Sequence, residues 1–93
     1  MPRCLVCIED DPEVIELLRL IVARHGFEFI EARGGTKGIE LVKKHVPDLV
    51  LLDLMMPGLD GSETLVELRA LGSDCPILLT SGLHLPEPLA VAA

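Results

Sequence analysis

The stretch from Leu49 to Gly61 constrains this chain more than any other. It opens as Leu-Val-Leu-Leu, with Pro47 before it and Pro57-Gly58 after it. A run that short and that apolar reads as a buried strand of a parallel sheet, covered on both faces. The run ends on a carboxylate, Asp53. A charge at the end of a buried strand is costly unless it is paired or reaches a water-accessible edge. In open α/β sheets, ligands bind at the carboxyl ends of the strands. Asp53 therefore stands where a reactive group is expected. Its plainer role would be to cap the loop that follows.

The rest of the chain supplies the elements such a strand needs. Arg3 to Ile8 reads as a first apolar strand and ends in Glu9, Asp10 and Asp11. Asp11-Pro12 is a helix start, with Asp as N-cap and Pro at the first helical position. Val14, Leu17, Leu18, Ile21 and Val22 follow at helical spacing, with Glu13, Glu16, Arg19 and Arg24 on the other side. Gly26 is a stop signal, and His25 in the last turn suits the helix dipole. Phe27 to Ala32 reads as a short strand; its alternation with Glu28 and Glu31 suggests an edge with one wetter face. Gly34-Gly35 form a turn without the full phosphate-loop pattern. Thr36 caps a second helix, which runs to about His45 and carries Ile39, Leu41 and Val42 on its apolar side. After the central strand, Ser62 to Leu71 reads as a third helix and Ile77 to Thr80 as a fourth strand. The tail from Pro86 to Ala93 looks like the opening of another helix. The pattern β-α-β-α-β-α-β with right-handed crossovers predicts a doubly wound parallel α/β sheet.

Ninety-three residues allow one small domain, residues 1–93. A hydrophobic content of 49% fits a globular core, and Phe27 and Phe29 as the whole aromatic complement make that core aliphatic. The net charge of −7 disfavours a nucleic-acid surface, which needs a basic patch, and an anionic membrane. It suits a divalent cation or a basic partner. Cys4 and Cys7 have C-x-x-C spacing, but residues three apart on a strand point to opposite faces. They read as small buried hydrophobes. With Cys75 they form no disulfide framework. The first apolar run is too short for a signal peptide, no stretch is long enough to span a bilayer, and a cytoplasmic location is expected.

In the predicted sheet the first and third strands are neighbours at the point where strand order reverses. Glu9, Asp10 and Asp53 then converge on one crevice. Carboxylates so placed raise each other's proton affinity, and a hard cation such as Mg²⁺ relieves them. Thr80 and Ser81 add hydroxyls at the same edge. An aspartate beside a bound metal is one route to an acyl phosphate.

These segments are Glu9-Asp10-Asp11-Pro12, Leu49 through Gly61 and Pro76-Ile77-Leu78-Leu79-Thr80-Ser81-Gly82. Together they resemble the receiver domain of two-component response regulators. The resemblance implies a flavodoxin-like fold and a phosphoryl group passed to Asp53 from a histidine kinase or phosphotransfer protein, to switch an output. It implies Mg²⁺ held by Glu9, Asp10, Asp53 and the backbone carbonyl of Met55, with Asp10 the more direct ligand and Asp11 only a cap. Ser81 fits the switch hydroxyl best, with Thr80 as runner-up. The family's fifth strand, which begins Lys-Pro, and its fifth helix have no counterpart in the sequence. Lys37, Lys43 and Lys44 do not replace that lysine. The chain reads as a receiver truncated near its fourth helix, with four strands present.

Other readings compete with this one. A receiver-like interaction module that takes no phosphoryl group is the alternative function. A metal-dependent phosphatase usually carries a second acid two residues after its nucleophile, where this chain has Met55. The expectation is therefore a domain that acts only on its own phosphorylation state, with no direct nucleic-acid or membrane contact. A bare fourth strand further predicts self-association, for example as a homodimer, through that edge.

Overall fold

The computed structural model describes residues 3–54, 61–72 and 74–80, and the backbone of 90–91. The chain runs β1 (Arg3–Ile8), α1 (Pro12–Ala23), β2 (Phe27–Ala32), α2 (Gly35–His45), β3 (Leu49–Asp53), α3 (Gly61–Ala70), β4 (Ile77–Thr80) and β5 (Ala90–Val91). They form one sheet in the order β2-β1-β3-β4-β5. The first four strands are parallel, as the sequence pattern requires. Strand order reverses between β1 and β3.

Strand alternation divides the core between the two faces. On one face Val6, Ile8, Val50, Leu52 and Ile77 pack with Ile39 and Val42 of α2 and Leu68 of α3. On the other, Leu5, Cys7 and Leu51 pack with Val14, Leu18 and Val22 of α1. Cys7 is thus a buried apolar filler, and Cys4, of opposite parity, belongs to the other face. All three cysteines are free thiols.

Several local expectations are corrected. The stripe that α1 buries is Val14, Ile15, Leu18 and Val22, while Leu17 and Ile21 are 41% and 47% exposed. At about 100° per residue the buried stripe centres between Ile15 and Leu18, and this rotates Leu17 and Ile21 out of the contact. Helix α1 stops at Ala23, so His25 lies in the turn beyond it. Helix α2 starts one residue before Thr36; its N-cap is Gly34, at φ 122, with no side-chain cap bond. That φ excludes residues with a Cβ, so a glycine takes the capping position. Helix α3 begins at Gly61, and Leu71 falls just past its end.

The tail differs most. The sequence suggested a helix opening, but Ala90–Val91 pair antiparallel with Leu78 and Leu79. The open groups of β4 find backbone partners there, so β4 is not bare along those two residues. The proposed route to self-association loses its premise at that point. At the other edge, β2 is tied to α1 through Arg19. Its guanidinium pairs with Glu16 at 3.3 Å and Glu31 at 2.8 Å and lies 4.8 Å over the Phe29 ring.

Candidate functional site

The parallel register of β1 and β3 places Ile8 opposite Leu52. Glu9 follows directly after β1 and Asp53 is the last residue of β3, so the two acids meet at the carboxyl edge. Both are buried, at 2% and 3% exposure. The Glu9 N–H donates to the Ala32 carbonyl at 3.0 Å, which holds the end of β1 against β2. One oxygen of the Glu9 carboxyl, Oε2, accepts from the backbone N–H groups of Asp10 at 2.9 Å and Asp11 at 3.1 Å. The Glu9 carboxyl also shares a hydrogen bond with that of Asp53.

Burial is the main force that pushes the Glu9 carboxyl up to about 7. The two backbone N–H groups oppose that push, and the Asp53 carboxylate reinforces it by hydrogen bond and by charge. A second carboxylate so close disfavours the charged form of Glu9. Burial likewise pushes the Cys7 thiol up to about 12, with Glu9 as the next cause. Such a thiol is inert, which agrees with a filler role.

The two other acids have separate fates. Asp11 is the N-cap of α1: its Oδ1 accepts from the Glu13 N–H at 2.8 Å. Asp10 is exposed. Among the described residues, no three His, Cys, Asp or Glu side chains stand together as a ready metal cage. The paired Glu9 and Asp53 carboxyls are nonetheless a hard oxygen donor set crowded enough that a cation would relieve it, and they fit Mg²⁺ as two of its ligands.

Strand β4 completes the edge. Thr80 is the register partner of Asp53, and the Leu54 N–H donates to the Thr80 carbonyl at 2.9 Å. Gly61 then closes on Leu54, its N–H donating to the Leu54 carbonyl at 3.3 Å. A Cβ at Gly61 would sit 2.7 Å from the Asp53 carbonyl oxygen and closer still to the Leu54 Cα. Gly61 thus lets α3 start directly against the end of β3. The sequence showed Gly61 as part of a motif but gave no sign of this close approach. Met55 and Ser81 lie outside the described residues. Thr80 Oγ1 is buried and, among the described residues, finds no hydrogen-bond partner.

The comparisons agree with this architecture. The profile of the response regulator receiver domain matches residues 5–93. The chain belongs to this family. The response regulator MprA of Mycobacterium sp. (strain KMS) is 39% identical over 79 residues, covering 85% of this chain and 34% of that protein. The probable C4-dicarboxylate response regulator DctR of Priestia megaterium is 43% identical over 70 residues, 73% of this chain and 31% of its own length. The chain therefore spans about a third of these curated relatives. Among solved structures, the BeF3-activated N-terminal receiver domain of Klebsiella pneumoniae RstA superposes with a TM-score of 0.79 at 36% identity, covering 87% of this chain and 68% of that one. TrrA from Thermotoga maritima, in complex with Mg(2+)-BeF, gives 0.82 at 30% identity, with 87% and 70% covered. The expected receiver fold and its place in two-component signalling stand. Among the described residues, no helix is long and apolar enough to cross a membrane.

Proposed function

We propose that this domain accepts a phosphoryl group on Asp53 from a phosphohistidine of a histidine kinase or phosphotransfer protein, and so switches an output. The observation that carries the reading is the pair of buried carboxyls, Glu9 and Asp53, on adjacent strand ends at the topological switch point. An Asp53 oxygen attacks phosphorus, the P–N bond breaks, and its electron pair returns to the imidazole nitrogen, which takes up a proton. Glu9, Asp10 and Asp53, with the Met55 carbonyl, would hold Mg²⁺, which supplies charge neutralisation for the transferring group. To serve as a ligand, Glu9 would have to be in its charged form, which a bound cation would favour. Asp10, exposed at the mouth of the site, is free to join as a ligand. Ser81 serves as the switch hydroxyl that reports the new charge. The domain acts on no other substrate, and a partner kinase of this kind places it in the cytoplasm.

The test is incubation with Mg²⁺ and acetyl phosphate, read by intact mass. One acid-stable, base-labile phosphoryl group is expected on the wild type and none on Asp53→Asn. Labelling that persists in Asp53→Asn assigns the acceptor elsewhere. A wild type that stays unlabelled supports instead an interaction module without phosphoryl chemistry.

A further inference from the structure

Among the described residues, two buried side-chain polar atoms lack a hydrogen-bond partner, Arg69 Nε and Thr80 Oγ1. Arg69 still bonds through Nη1 to the Cys75 carbonyl at 3.0 Å. Thr80 has no such second group: its side chain carries one polar atom, and that atom is unmet. Buried hydroxyls are normally satisfied, and one left unsatisfied costs stability. Valine would fill the same strand position without that cost.

The location of this hydroxyl gives it a use. Thr80 and Asp53 are register partners on parallel strands, so their side chains leave the sheet on the same face. Two residues earlier the partners are Leu51 and Leu78, which both pack in the cluster under α1. The bond from the Leu54 N–H to the Thr80 carbonyl keeps this register to the last residue. The backbones there are about 4.8 Å apart, a spacing that makes the two side chains lateral neighbours. Yet Thr80 Oγ1 makes no bond to the Asp53 carboxyl, which is engaged by Glu9. The donor stands beside the carboxyl with no acceptor of its own. An additional oxygen attached to Asp53 would supply one, after a staggered rotation about χ1.

We infer that Thr80 is a second hydroxyl of the site, which donates a hydrogen bond to an oxygen of the phosphoryl group on Asp53 and acts alongside Ser81 rather than in place of it. The inference rests on Asp53 being the acceptor. It assigns Thr80 a binding role and no covalent step. In the unmodified domain the unmet hydroxyl disfavours the resting state, and the modified domain recovers that cost. Thr80 therefore biases the equilibrium toward the phosphorylated form.

The experiment is thermal melting of the wild type, Thr80→Val and Thr80→Ser, titrated with beryllium fluoride at saturating Mg²⁺. Beryllium fluoride presents electronegative acceptors where phosphoryl oxygens would lie. Thr80→Val should melt at or above the wild-type temperature when free, because it loses only an unsatisfied group. It should need roughly ten-fold more beryllium fluoride for half of the melting shift, as expected for loss of a hydrogen bond to a charged group. Thr80→Ser should restore the wild-type midpoint. Equal midpoints for wild type and Thr80→Val would overturn the inference and leave Asp53 as acceptor. A free Thr80→Val that melts clearly below wild type would also overturn it, since the hydroxyl would then have a partner. A wild type that does not respond to beryllium fluoride refutes the acceptor reading itself, and this inference with it. If Thr80→Val fails to fold, Thr80→Ala removes the same hydroxyl and is read by the same midpoint.

Discussion

Helix α2 can lie close to β1 because residue 38 has no side chain, and this makes Gly38→Ala a sharp test of the packing. A Cβ at Gly38 would sit 2.5 Å from Ile8 Cδ1, 2.6 Å from Cγ1 and 3.1 Å from Cγ2. Carbon atoms pack at about 3.5–4.0 Å, so the new methyl overlaps the isoleucine by roughly 1 Å. Ile8 is fully buried and cannot swing clear, since atoms on both of its branches are too close. Overpacking of this kind costs about 1–3 kcal/mol. Against it, alanine is a better helix former than glycine by about 1 kcal/mol. The net expectation is a loss of up to about 2 kcal/mol. For a domain this size each kcal/mol moves the melting temperature by about 4–8 °C. Chemical denaturation of a double-mutant cycle with Ile8→Ala gives the decisive reading. That substitution alone should cost about 2–5 kcal/mol. In its background all three clashing atoms are gone, and Gly38→Ala should become stabilising. Ile8→Val, which removes Cδ1 alone, should relieve only part of the clash. A Gly38→Ala that stabilises the protein with Ile8 intact would refute the close approach, as would strict additivity in the cycle. Ile8 directly precedes Glu9, so the same overlap should also weaken Mg²⁺ binding at the site.

Two further predictions concern the acids. The folded, metal-free domain holds the Glu9 proton up to about pH 7, whereas the unfolded chain gives it up near the ordinary glutamate value of 4.5. This contribution to stability is therefore complete below pH 4.5 and is lost as pH rises through about 7. Urea titrations between these limits should show wild type losing stability relative to Glu9→Gln, with added Mg²⁺ reducing the loss; parallel profiles would contradict the raised Glu9 carboxyl. Asp11→Ala should cost roughly 1 kcal/mol through the lost cap while leaving Mg²⁺ affinity nearly unchanged, and Asp11→Ser should recover most of it. A large drop in Mg²⁺ affinity in Asp11→Ala would make Asp11 a ligand after all.

The elements legible in the sequence were those whose signals are local. The run Leu49–Leu52 between prolines could be little other than a buried strand, and Asp11-Pro12 carries its cap geometry in two adjacent residues. The meeting of Glu9 and Asp53 was legible too, because the order reversal of a doubly wound sheet fixes which strand ends adjoin. What escaped depends on tertiary geometry. The apolar arc of α1 is wider than the stripe that the sheet covers, so periodicity could not exclude Leu17 and Ile21. Thr36 is a plausible cap by residue type, and only the φ of Gly34 moves the helix start. The pairing of Ala90–Val91 with β4 is a long-range choice that outweighs local helix propensity. The unmet hydroxyl of Thr80 depends on where every neighbouring acceptor points, which no spacing rule encodes.

Gly61 separates two kinds of constraint that the acids alone would leave merged. Glu9 and Asp53 answer to chemistry: a lineage released from phosphoryl exchange could replace both and gain stability, since each is a polar group held away from water. Gly61 answers to space, because any Cβ there collides with the backbone of Leu54 whatever the state of the site. A descendant that had lost its acids would still have to keep this glycine to keep α3 against β3. Within one site, position 61 is then a record of shared architecture, and positions 9 and 53 would be a record of the proposed phosphoryl chemistry. The two can drift apart over evolutionary time.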